Sequence, residues 1–374
     1  MRILLAPDKF KGTLSADQVC AAMSEGIHAV DETIEVIVQP LADGGEGTSD
    51  LLEQALGLQK EWVVVNDPLF RPIKAHYLRN EEVAFIEMAH ASGLQLLEEN
   101  ERSALNTTTF GTGELIKHAL DQGVKEIYLM IGGSATNDGG IGMAQALGYG
   151  FASADQVALK PNGRALAEIN ELSRGTAHSR LTEVEFTVLC DVQNPLLGPN
   201  GASHVYGPQK GADEKEVAEL ERGLQNLAGL LNNGFDNAPG AGAAGGLGYG
   251  AMSFLGAKLK PGIQSVMEMT GFEQKLEGVD LIITGEGKMD LQTVEGKVIA
   301  GVSEKAAKQS IPFGVICGLA ESRDKVQAQI NAWGIYPLVK DEVSVDFALK
   351  HAFELVKQRT TELLTAFLKS QSNS

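Results

Sequence analysis

Both ends of this chain alternate short apolar runs with helix-patterned stretches, and that alternation is what most narrows the fold. Ile3–Ala6 reads as a buried strand and Ile34–Val38 as a second, with helical spacing over Ala16–Val30 and Gly47–Leu56. Ser15, with Gln18 three residues on, has the form of a capping box. Toward the other end, Leu281–Thr284, Phe313–Cys317 and Ile335–Val339 are strand-like, each beside a helical stretch. Strands that alternate with helices pair in parallel, and helices then cover the sheet.

The middle of the chain has a different rhythm. Trp62–Val65, Ile73–Leu78 and Val83–Glu87 are closely spaced short strands with Asn80-Glu81 as a turn, which is a hairpin signature. A helix over 112–122, a strand over Glu126–Ile131, a helix from about Gly140 to Leu147, a strand over Val184–Leu189 and an amphipathic helix over Lys215–Leu231 follow. Strand 126–131 fits either part of the molecule. A length of 374 residues exceeds what one hydrophobic core supports. The expected fold is therefore α/β with two α/β domains. One is a doubly wound, Rossmann-like parallel sheet built from both chain ends, residues 1–60 plus 270–374. The other is an inserted mixed α/β domain, residues 61–269.

Charge and composition limit the partners. The chain carries 49 acidic and 31 basic residues, a net charge of −18. An acidic surface repels nucleic acid and anionic membranes, so neither is expected as a partner. Cys20, Cys190 and Cys317 are far apart and odd in number, which reads as reduced thiols. The first residues lack the apolar core of a signal peptide, and no apolar run is long enough to span a bilayer. A cytoplasmic location is expected.

The chemistry concentrates where glycines and acids cluster after strands. The clusters are Asp43-Gly44-Gly45-Glu46-Gly47, Gly132-Gly133-Ser134-Ala135-Thr136-Asn137-Asp138-Gly139-Gly140 and Gly285-Glu286-Gly287-Lys288-Met289-Asp290. Ligands bind at the carboxyl ends of parallel strands, and glycine there lets backbone N–H groups approach an anion. Tight strand–helix turns are the plain alternative, but three such clusters with acids favour a site. Carboxylates in a phosphate cradle imply a bound Mg²⁺, since bare carboxylates repel phosphate. Lys9 and Lys11 precede the helix that begins near Ala16. Cations at a helix N-terminus oppose its dipole unless an anion is present. Solvated surface lysines are the alternative.

Other motifs are negative. Gly240-Ala241-Gly242-Ala243-Ala244-Gly245 matches G-x-G-x-x-G by letter but follows a loop, not a strand, so a dinucleotide site is rejected. There is no P-loop, no protein-kinase motif set, no G-x-S-x-G elbow and no metal-ligand spacing among the seven histidines. The residues alone give an α/β protein that binds an anionic ligand with Mg²⁺.

At these same clusters the sequence resembles the type-1 glycerate kinase family. The resemblance runs nearly the whole chain. It rests on Ala6-Pro7-Asp8-Lys9-Phe10-Lys11-Gly12-Thr13-Leu14, Ala42-Asp43-Gly44-Gly45-Glu46-Gly47-Thr48, Thr108-Thr109-Phe110-Gly111-Thr112-Gly113 and the 132–140 cluster. It continues in Cys190-Asp191-Val192-Gln193-Asn194-Pro195-Leu196, Gly207-Pro208-Gln209-Lys210-Gly211-Ala212, residues 239–248, Thr284-Gly285-Glu286-Gly287 with Asp290, and Gly296-Lys297. Lys288 stands where Arg is common in that family, which keeps the charge without the bidentate fork.

The resemblance implies transfer of a phosphoryl group from ATP to D-glycerate with Mg²⁺, in a cleft between two α/β domains. It favours 2-phosphoglycerate as product, with 3-phosphoglycerate as the alternative. A homodimer stays open as an assembly. Phosphoryl transfer needs cations on the phosphates, a base at the attacking hydroxyl and exclusion of water. Our reading of roles follows from those needs. Lys9 and Lys11 contact phosphate or the glycerate carboxylate. Asp43, Glu46 and Glu286 hold Mg²⁺ directly or through water. Asp191 is the first choice of general base and Asp138 the second. Ser134, Thr136 and Asn137, with Gly285 and Gly287, contact phosphate or substrate. Lys210 and Lys297 neutralise charge on the transferred group. Arg71 pairs with a carboxylate, of the substrate or of the other domain. The rival readings are a hydroxy-acid oxidoreductase, which needs a dinucleotide site, and a non-catalytic sugar-acid sensor, which needs a partner module.

Overall fold

A computed structural model describes residues 1–44, 48–290, 298–340 and 343–372. In chain order its strands are β1 (Arg2–Leu5), β2 (Glu35–Val38), β3 (Gln59–Asn66), β4 (Pro72–Arg79), β5 (Val83–Glu87), β6 (Glu126–Met130), β7 (Gly150–Ala152), β8 (Glu171–Ser173), β9 (Glu185–Leu189), β10 (Lys258–Lys260), β11 (Leu281–Met289), β12 (Phe313–Ala320) and β13 (Gly334–Pro337). The chain divides into two compact units. One holds residues 1–43, 50–52 and 261–374, and the other holds 44–49 and 53–260.

The first unit is a five-stranded sheet in the order β13-β12-β11-β1-β2. Every pairing in it is parallel. Successive side chains on a strand point to opposite faces, and both faces here are buried. Ile3, Leu5, Leu281 and Ile283 pack with residues of the helices Ala16–His28 and Ala352–Ser372. Leu4, Ala6, Ile282 and Val315 pack on the other side with the helices Gly262–Met269 and Val298–Gln309. That two-sided burial explains why these strands are continuous apolar runs without polar alternation. The helix from Ala16 opens on the capping box that the sequence indicates, with Ser15 Oγ accepting from Gln18 N at 3.2 Å and Gln18 Oε1 accepting from Ser15 N at 2.9 Å.

The second unit carries a six-stranded mixed sheet in the order β10-β9-β6-β5-β4-β3. The hairpin strands β3, β4 and β5 pair antiparallel, while β5, β6, β9 and β10 are mutually parallel. Strand β6, which the sequence left open, belongs to this sheet. Its core runs from Val65 and Tyr77 through Leu129, Val188 and Leu224 to Tyr249. The long helix Glu214–Leu231 is capped by Asp213, whose carboxylate accepts from Lys215 N and Glu216 N. Among the described residues no helix is long and apolar enough to cross a membrane.

One element differs from its sequence reading. The run Leu281–Thr284 does not end at the glycines, because β11 continues to Met289. The ladder to β12 persists through Glu286↔Cys317 and Lys288↔Leu319. Glycine at 318 permits this, since a Cβ there would lie 2.3 Å from the carbonyl oxygen of Gly287.

Ile283 sits fully buried in the centre of the first unit's sheet. Ile283→Ala is expected to cost about 2–5 kcal/mol of stability, from lost transfer energy and a residual cavity. A lower urea midpoint checks this, and a midpoint within error of wild type would show that the sheet centre is not a rigid core.

Candidate functional site

In the first unit the parallel register brings three predicted segments to one edge. Beyond the end of β1, Asp8 N donates to Gly285 O at 2.8 Å. On the other side, Leu41 N donates to Pro7 O at 2.9 Å, so the segment leading to Asp43 runs alongside. Phe10, 2% exposed, anchors the lysine loop in the core and pairs with Leu14 across its turn. Lys9 is half-buried and Lys11 exposed on either side of that anchor. The glycine at 287 lets the loop come close, as a Cβ there would stand 3.1 Å from Lys11 N. Lys9, Lys11, Asp43, Gly285, Glu286 and Gly287 therefore gather at the carboxyl edge of β1, β2 and β11. Glu46 and Lys297 lie outside the described residues.

Lys288 is exposed and turned to carboxylates of its own unit, 3.0 Å from Glu321 and 3.7 Å from Asp290. Those neighbours hold its pKa above the ordinary lysine value, the hydrogen bond that Lys288 donates to Glu321 most strongly.

The donor chemistry of this edge can be tested against Mg²⁺. Among the described residues no three His, Cys, Asp or Glu side chains are grouped to hold a metal ion. Mg²⁺ in phosphoryl-transfer sites is bound through one or two carboxylates plus water and substrate phosphates. Asp43 and Glu286 fit that mode and do not form a protein-only cage.

In the second unit the loops after the adjacent strands β6 and β9 form the corresponding edge. The loop after β6 is exposed only at Gly132 and Gly133; Ser134 is buried, and Thr136, Asn137 and Asp138 are fully enclosed. Asp138 organises the loop. Its Oδ2 accepts from Thr109 N at 2.7 Å, Thr109 Oγ1 at 2.8 Å and Gly142 N at 3.2 Å, and its Oδ1 accepts from Gly140 N at 3.0 Å. Burial pushes its pKa up against the pull of these donors. Thr136 Oγ1 and Asn137 Oδ1 are buried with no hydrogen-bond partner among the described residues. Buried polar atoms without a protein partner are ones that an ordered water or a ligand satisfies.

The loop after β9 carries Asp191, half-buried, between Cys190, whose N–H donates to Lys260 O at 2.9 Å, and the exposed Val192. Residues 239–246 close over both loops. A Cβ at Gly245, where φ is +66°, would lie 2.0 Å from Thr136 O, and one at Gly242 would lie 2.2 Å from Pro195 O. These glycines serve close backbone packing, and no strand leads into them.

Lys210 is placed differently from an exposed phosphate ligand. It is 1% exposed, and its Nζ donates to Thr136 O at 2.7 Å. Desolvation pushes its pKa down to about 7, partly opposed by the charge of Asp138. Arg71 lies in the turn 67–71 and pairs with Asp67 at 2.5 Å and Glu101 at 2.6 Å, both in its own unit.

Sequence reasoning did not single out Thr107, Thr108 and Thr109 as parts of the site. All three are fully buried; Thr107 Oγ1 donates to Ala135 O at 2.9 Å, and Thr109 binds Asp138. The available signal was three consecutive hydroxyl residues immediately before a helix, where side chains cap backbone groups.

Comparison with known proteins gives a consistent result. The glycerate kinase family model matches residues 3–368. A glycerate kinase of Bacillus cereus is 40% identical over 363 residues, covering 96% of this chain and 95% of that protein. The glycerate 2-kinase of Escherichia coli K12 is 38% identical, covering 95% of this chain and 94% of that protein. The crystal structure of a glycerate kinase 2 candidate from Salmonella typhimurium LT2 superposes with a TM-score of 0.88 at 37% identity, covering 100% of this chain and 99% of that one. With the family matched over almost its entire length and the predicted loops at the carboxyl edges of two α/β sheets, this chain belongs to the glycerate kinase family.

Proposed function

We propose that this protein transfers the γ-phosphoryl group of ATP to a hydroxyl of D-glycerate, in the presence of Mg²⁺, to give 2-phosphoglycerate and ADP. The observation that carries the proposal is the full-length family match over residues 3–368. The relative described as a glycerate 2-kinase supports the choice of product isomer.

The chain's own residues supply what such a reaction needs. The attacking hydroxyl must lose its proton as the new oxygen–phosphorus bond forms and the bond to the ADP oxygen breaks. Asp191 is our choice of base, because it is half-buried and retains access, whereas Asp138 is enclosed and already accepts four donors. Lys11, exposed beside Gly287, and Lys9 bind phosphate or the substrate carboxylate. Asp43 and Glu286 hold Mg²⁺, with Glu46 as a third candidate; Mg²⁺, when bound, offsets charge on the phosphate oxygens. The exposed Gly132-Gly133 backbone and Ser134 meet the substrate, on a loop that Asp138 keeps in shape. Cys20, Cys190 and Cys317 are free thiols, which supports a reducing, cytoplasmic setting.

Steady-state kinetics of ADP release test these roles. Asp191→Asn is expected to lower kcat by about 10²–10⁴ while the ATP KM stays close to wild type. Near-normal turnover in that variant would remove Asp191 as the base. Lys11→Ala is expected to weaken binding of ATP or glycerate by about 1.5–3 kcal/mol, the worth of a charge-assisted hydrogen bond. Unchanged KM values for both substrates would make Lys11 a surface lysine.

A further inference from the structure

A lysine buried to 1% exposure requires a reason, because long cationic side chains almost never leave water unless paired. Lys210 does not point its amine at an open edge. It gives the amine to one backbone carbonyl, that of Thr136, at 2.7 Å. Two other side chains of the same short segment do related work. Ser203 Oγ accepts from Asn137 Nδ2 at 3.3 Å, on the loop after β6. Tyr206 Oη donates to Asn194 Oδ1 at 2.7 Å, on the loop after β9. The Lys210 amine also lies 5.9 Å from the centre of the Tyr206 ring.

The segment itself is well fixed. It comprises the helix Ala202–Tyr206 and a tight turn over Pro208–Lys210. Ala212 N donates to Gly207 O at 3.1 Å, and a Cβ at Gly211 would lie 2.4 Å from Arg102 O. A rigid element thus reaches two neighbouring loops of one unit with three side chains. One of those loops carries Ser134 and the other carries Asp191.

We propose that Ser203, Tyr206 and Lys210 form a bracket that fixes the loop after β6 against the loop after β9, and that Lys210 is its principal positioning residue and does not bind phosphate. The inference rests on the proposed function only for its kinetic consequence; the bracket itself is a claim about the loops. Burial draws the Lys210 pKa down to about 7 against the pull of Asp138, in keeping with an amine enclosed away from water.

The test compares Lys210→Met and Tyr206→Phe with wild type, using steady-state kinetics and hydrogen exchange read by mass spectrometry. Lys210→Met keeps an unbranched apolar stem one heavy atom shorter and removes the donor and the burial cost of the amine, so it is expected to fold. Its peptides over 132–140 should exchange about 10-fold faster than wild type, with those over 126–130 unchanged, as expected for a local opening. Its kcat should fall by about 10²-fold, the effect of a misplacement near 1 Å, with little change in ATP KM. Tyr206→Phe should loosen the 190–196 peptides in the same way and lower kcat to a lesser degree. A raised ATP or glycerate KM with normal exchange over 132–140 would overturn the proposal and make Lys210 a ligand. Unchanged exchange in both variants would also overturn it. Should Lys210→Met not fold, the Tyr206→Phe result decides by itself. Should wild type fail to phosphorylate glycerate, the functional reading falls, and the exchange data still decide the bracket.

Discussion

In both units, parallel pairing sends neighbouring strands out on the same edge, and the residues that can meet a ligand depend on that register. In the first unit, Leu5 is paired with Ile283 and with Val38, so the segments beginning at Ala6 and Gln39 leave the sheet side by side, next to β11 where it runs on to Met289. In the second, Met130 opposite Leu189 has the same consequence for the loops that carry Ser134 and Asp191. A one-residue slip would turn every buried side chain of a strand to the opposite face. Burial of Ile3, Leu4 and Leu5 on alternate faces of one strand therefore fixes the placement of Lys9 and Lys11 as firmly as any contact those lysines make.

The loops at the second unit's edge are costly structures. Fully buried polar residues crowd together from Thr107 to Thr109 and from Thr136 to Asp138. Most of their donors and acceptors are satisfied within the loop cluster, and two acceptors are not. A chain selected for stability alone would place apolar residues there, since removing both partners of a buried polar contact is nearly neutral. Retaining the polar network buries rigidity into the shape of a backbone segment, which is what a site for an anionic substrate needs.

Much of this was readable from the sequence. Continuous apolar runs with β-branched side chains gave β1, β11, β12 and β13, because those strands are buried on both faces, whereas the edge strand β2 was visible only as Val36-Ile37-Val38, with Glu35 and Val38 exposed. The Ser15–Gln18 spacing gave the helix start, and the closely spaced runs gave the β3–β4–β5 hairpins. The elements that escaped have short or mixed patterns. Strands β7 and β8 are three residues each, and β10 is Lys258-Leu259-Lys260, with no run to see. Continuation of β11 through Gly285-Glu286-Gly287 depends on its partner β12, which local propensity does not contain. Site chemistry was legible as residue types in order. Exposure was not: Lys11 and Lys210 look alike in the sequence, yet one is exposed and the other enclosed. That difference is set by the turn 207–211 and by Thr136, far away along the chain.

The central claim is a chemical one, that this chain phosphorylates D-glycerate at the 2-hydroxyl. Phosphorus NMR of the full-length protein incubated with ATP, Mg²⁺ and D-glycerate tests it most directly. A resonance that matches authentic 2-phosphoglycerate is expected, with ADP formed in equal amount and neither product present when Mg²⁺ is chelated. A resonance matching 3-phosphoglycerate would contradict the product assignment, and the absence of any phosphoglycerate would contradict the proposed function itself.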